Sequence, residues 1–106
     1  MSAPVFNHFG VPCPGPIENS NFLEGGKVHY TDPEANPYKI EFLYFESDSP
    51  MPQELKNTPH SAFMVENLEE ALEGQKVVMP PTDINETLRI AFIMDGPALI
   101  ELMQSK

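Results

Sequence analysis

The sequence predicts an α+β fold, mostly strand, with one short helix and two related halves. Three observations carry this. Twelve prolines cut the 106 residues into short apolar segments, which breaks helices and caps strands. Only one segment, near residues 67–74, carries both a helix start signal and a stop signal. The first and second halves repeat one pattern, a histidine on the opening strand and a glutamate among apolar residues on the closing one.

The elements follow in chain order. Val5 to Pro12 reads as a strand, with Phe6, His8 and Gly10 on one face. Pro14 to Gly26 reads as irregular, with room for one helical turn at 19–24. Lys27 to Thr31 is a strand and Asp32 to Pro37 a turn. Tyr38 to Glu46 is the strongest strand of the first half, rich in aromatic and aliphatic residues. Ser47 to Thr58 reads as a polar connection, and Pro59 to Val65 as the next strand. The helix is expected over 68–74. Asn67 is a good N-cap, Glu70 completes a capping-box-like pair, and Gly74 supplies the stop. Lys76 to Met79 is a short strand, Pro80 to Glu86 a loop, and Thr87 to Met94 a strand. Asp95-Gly96-Pro97 turns the chain into the last strand, Ala98 to Met103.

Charge excludes some function classes. Sixteen acidic residues face six basic ones, a formal net charge of −10. Nucleic-acid binding needs a basic footprint that displaces counterions, and none is present. An anionic membrane surface would repel the chain, and no apolar run is long enough to span a bilayer. Cations are the favoured partners, although the acids could equally serve solubility alone. Cys13 is the only cysteine, so no intrachain disulfide is expected. The start of the chain shows no secretory signal, and a cytoplasmic protein is expected.

The repeat singles out four residues. His8 and Glu41 are 33 positions apart, and His60 and Glu101 are 41 apart. The difference matches the length of the 68–74 helix with its caps, so the first half is read as having lost its helix. A carboxylate inside Ile40-Glu41-Phe42-Leu43 or Ile100-Glu101-Leu102-Met103 is costly to bury without a partner. Two histidines and two glutamates around one cation would satisfy all four, in a nitrogen and oxygen shell suited to Zn, Ni, Mn or Fe. The plainer alternative is a glutamate facing water from an edge strand and a histidine packed in a core. His29, Tyr30 and Glu54 are assigned to surface or turn positions.

At these residues the sequence resembles the vicinal oxygen chelate superfamily, which includes glyoxalase I, bleomycin-resistance proteins and extradiol dioxygenases. Residues 59–71, Pro-His-Ser-Ala-Phe-Met-Val-Glu-Asn-Leu-Glu-Glu-Ala, resemble its strand-to-helix opening. Residues 90–102, Ile-Ala-Phe-Ile-Met-Asp-Gly-Pro-Ala-Leu-Ile-Glu-Leu, resemble its closing hairpin. With residues 38–46 the likeness covers about two-thirds of the chain. It implies one domain over 1–106, built of two βαβββ-like modules at about 1–47 and 58–106, the first abbreviated. The modules would form a curved mixed sheet around a metal cleft. By position, the implied metal ligands are His8, Glu41, His60 and Glu101, with Glu41 or Glu101 as catalytic base.

The function implied is that of a small glyoxalase-like metalloprotein, a metal-dependent isomerase or lyase acting on a small carbonyl compound, with a divalent ion as cofactor. Two alternatives stay open. One is an acidic drug-sequestering protein of the bleomycin-resistance type, and the other an iron-dependent extradiol-type dioxygenase. A homodimer is expected, because a sheet lacking one helix exposes apolar surface.

Overall fold

In the computed structural model, which describes residues 3–106, eight strands are hydrogen-bonded as a mixed sheet. Two short α-helices accompany them, so the chain is α+β and mostly sheet. Among the described residues, no helix is long and apolar enough to cross a membrane. The chain divides into two compact units, one of residues up to Asn7 plus His60–Lys106, the other His8–Pro59. The boundary falls inside strand β1, Val5–Pro12.

In the His8–Pro59 unit, β2 (Asn21–Leu23) and β3 (Val28–Tyr30) form an antiparallel pair. β3 runs antiparallel to β4, Ile40–Phe45, and β4 runs parallel to β1. β2 lies where one helical turn was expected, and a 3₁₀ turn at Glu24–Gly26 follows it. A second correction is helix α1, Gln53–Asn57, inside the stretch read as a polar connection. Pro50 and Pro52 suggested a breaker, but a proline just before a helix loses no needed hydrogen bond. Leu55 is the buried residue of α1. The preceding loop is pinned by Ser49, whose buried hydroxyl donates to the Gly26 carbonyl and whose own carbonyl accepts from Lys56. On the surface, the hydrogen bond between Lys27 and Asp48 raises the amine pKa and lowers that of the carboxyl.

The other unit runs β5 (His60–Met64), α2 (Leu68–Ala71), β6 (Lys76–Asn85), β7 (Leu88–Asp95) and β8 (Ala98–Ser105). β5 pairs parallel to β8, while β8–β7 and β7–β6 are antiparallel. The β7–β8 turn needs a left-handed residue, and Gly96 supplies it at φ 58°. The segment expected to be a loop at 80–86 is instead the second half of β6. Pro80 and Pro81 are tolerated because β6 is the edge strand and its register shifts around them, so few ladder donors are demanded there. α2 is one turn, shorter than the 68–74 expected, and residues 72–74 continue as a turn. Its start is as expected: the Asn67 Oδ1 accepts the Glu70 N–H at 3.0 Å.

α2 lies on one face of β7 and β8. Leu68, Ala91, Ile93 and Leu102 form the buried cluster, ringed by Phe63, Val65, Ala71, Leu72 and Ile100. Since so short a helix has little intrinsic stability, the cap and this packing hold it. Asn67→Ala is expected to cost about 1 kcal/mol in urea unfolding. A change below about 0.3 kcal/mol would show that the cap does not hold α2.

Candidate metal centre

Strand alternation decides which side chains can meet. In β8, Glu101 points away from Ile100 and Leu102, onto the face that carries His60 and Ala62 of β5. The ladder sets Glu101 beside Ala62, two residues past His60. In the other unit the ladder sets Glu41 of β4 beside Gly10 of β1, two residues past His8. Both parallel pairs therefore share one register. Each glutamate has a residue with almost no side chain directly across from it, and a bulky one there would block the diagonal imidazole.

The two His–Glu couples are close in the same way. His60 Nε2 lies 3.1 Å from Glu101 Oε1, with the side chains 3 % and 8 % exposed. His8 Nε2 lies 3.4 Å from Glu41 Oε1, with the side chains 4 % and 16 % exposed. The Phe92 ring meets the His60 imidazole edge to face at 5.1 Å and 87°, which restrains its tilt. Phe92 stands in register with Glu101, so the carboxylate is walled by an aromatic ring rather than by water.

Of the four residues expected to ligate, His60 and Glu101 are buried side by side in one unit, and His8 is buried beside the more open Glu41 in the other. The donor set fits a borderline or hard divalent ion: neutral imidazole nitrogen and carboxylate oxygen suit Zn, Ni, Mn and Fe. Within each couple the spacing fits as well. Ligand atoms about 2.1 Å from one ion are separated by roughly 3.0 Å at octahedral and 3.4 Å at tetrahedral angles. Both couples fall in that range. A charge-assisted hydrogen bond would ordinarily be shorter, at roughly 2.7–2.9 Å.

The third histidine was misassigned from sequence. His29 and Tyr30 lie half-buried in β3, while Glu54 is exposed in α1. His29 bonds to Glu46 at 2.8 Å and stacks between Phe22 and Tyr44, its neighbours across the ladder. The alternation of Lys27–Thr31 carried the signal for it, since His29 and Tyr44 both fall inside strands that were expected. An apolar cavity beside α2 was not legible at all, because it depends on how short that helix is.

The mixed sheet and the buried histidine–glutamate couples are compatible with the vicinal oxygen chelate fold. No family model matches the sequence, and no curated protein matches it.

Proposed function

We propose that the chain is a small glyoxalase-like metalloprotein in which His8, Glu41, His60 and Glu101 hold one divalent ion and act on a small carbonyl compound. The observation that carries this reading is the repeated couple: the same histidine and glutamate, in the same parallel register, in both strand pairs. A lone buried His–Glu pair has many structural explanations. Two in one register, with room left across each glutamate, have a shared one.

When bound, the ion supplies Lewis-acid stabilisation of negative charge on the substrate oxygen. The chain's own groups do the rest. His60 is fixed by Phe92 and keeps a nitrogen aimed at Glu101. Glu41 is the more open carboxylate, so it is the base in this reading. It takes the proton from the carbon next to the carbonyl and returns it to the neighbouring atom, which isomerises the compound.

The test is a titration of the full chain with Zn, Ni, Mn and Fe(II). Stoichiometric binding is expected. If none of the four binds, the reading fails, and the acidic sequestering protein takes its place. Acid should reverse the binding, because a ligating imidazole must be neutral and free imidazole has a pKa near 6.5. Metal is therefore retained above about pH 6 and lost progressively between about pH 6 and 5. Retention unchanged at pH 4 would rule out two histidine ligands.

A second reading has its own observation. His8, His60 and Glu101 are each buried while Glu41 is more open, and two histidines with one carboxylate are the donor set of non-haem iron oxygenases. Glu41→Gln separates the two. The isomerase reading expects turnover to fall by at least about a hundredfold, the usual contribution of a general base. The oxygenase reading expects iron binding and oxygen-dependent turnover to survive the change.

A further inference from the structure

The face of the β5–β8–β7 strands opposite Glu101 is incompletely covered. Ile100 and Leu102 flank Glu101 in β8 and point the other way, with Ile93 across from Ile100 and Phe63 across from Leu102. A helix of ordinary length would cover them all. α2 has four residues, and beside it a cavity of about 570 Å³ is left open on this apolar floor. That volume lies within the roughly 300–1,000 Å³ of small-molecule sites.

Among the described residues the rim has one sign of charge. Glu66, Glu70 and Asp95 line the cavity, and none of its described lining residues is basic. Glu70 and Asp95 make no ion pair among the described residues. Arg89, the only arginine in the chain, is engaged by Glu69 and Asp83. The floor also offers an aromatic ring: Phe63, held edge to face by Phe6 at 5.8 Å.

We infer that this cavity, an apolar floor under a rim of Glu66, Glu70 and Asp95, is a second binding site and takes a small amphipathic cation, an apolar body carrying one ammonium group. The body replaces the missing helix turns on the floor. The ammonium lies at the rim, where carboxylates and a ring face attract it. An anion is repelled there. A second copy of the chain would bring a further net charge of −10 to the same rim. The site lies on the face opposite Glu101 and does not depend on a metal.

The probe is benzyltrimethylammonium, with neutral benzyl alcohol as its control, followed through backbone amide shifts of the full chain. Saturable shifts at Phe63, Glu70 and Ile100 are expected, with the ammonium binding at least about threefold tighter than the alcohol, the gain of one cation–π or rim-charge contact. The double variant Glu70→Gln with Asp95→Asn changes only exposed side chains. It should weaken the ammonium about fivefold and leave the alcohol unchanged. Absent shifts, equal affinity for both probes, or a double variant that binds the ammonium like the parent would each overturn the assignment. So would amide broadening on this face that depends on protein concentration and not on the probe, which would make a second copy the occupant.

Discussion

Replacing Glu101 with glutamine is expected to weaken divalent-metal binding by at least about a hundredfold while leaving the metal-free fold intact. Losing a group that merely orients a ligand already costs about ten- to a hundredfold, and Glu101 is proposed as a ligand itself. The amide keeps the shape and polarity of the side chain but removes the negative charge that a divalent ion requires. In the metal-free protein the change is mild. Glu101 lies 3.1 Å from His60 Nε2, and a glutamine amide can hydrogen-bond the same nitrogen in either of its orientations. Unfolding free energy should move by less than about 1 kcal/mol. Glu73→Gln is the control, since Glu73 is exposed just past α2. If Glu101→Gln and Glu73→Gln both bind metal like the parent, Glu101 is not a ligand and the repeated couple is structural.

What could be read beforehand followed from local rules. The strand limits of β1, the cap at Asn67 and the turn at Gly96 depend on alternation, one side-chain acceptor and one left-handed residue. Each is decided within a few positions. The couples His8–Glu41 and His60–Glu101 were legible for a different reason, because a carboxylate in an apolar strand needs a partner and the repeat offered one at each end. The misses are non-local. Pro80 and Pro81 end a strand only if the strand is central, and nothing near them in sequence says that β6 is an edge. α1 is held by Leu55 in the core and by Lys56 at the Ser49 carbonyl, contacts made by tertiary packing rather than by propensity. α2 ends at Ala71 with residues 72–74 continuing as a turn up to the left-handed Gly74, and the cavity beside it follows from that length. Gly10 and Ala62 were read as ordinary strand residues. Only the ladder reveals that each stands across from a glutamate.

Leu68→Ala is expected to cost about 3 kcal/mol of unfolding free energy, within the usual range of about 2–5 for a buried leucine. Leu68 is fully buried, and its cluster partners Ala91, Ile93 and Leu102 come from β7 and β8. The site cannot collapse easily onto the smaller side chain. The Leu68 N–H donates to the Gln104 Oε1 at 2.6 Å, and the Asn67 cap holds the same turn, so the α2 backbone is pinned at its start. A pinned backbone keeps the void open, and an open void adds to the transfer loss. A chain of this size has roughly 5–15 kcal/mol of stability in all, so one side chain would remove a fifth or more of it. Leu72→Ala, on the half-buried ring of the same cluster, should cost about 1 kcal/mol because less area leaves water. Urea unfolding of both variants gives the comparison, with unchanged slopes indicating that only the folded packing has altered. Metal affinity should stay at the parent value in Leu68→Ala, since Leu68 packs against Leu102, on the face that Glu101 points away from. A loss below about 1 kcal/mol would mean that α2 is not packed on the sheet as a core element. A large fall in metal affinity would mean that the two faces of β8 are energetically coupled.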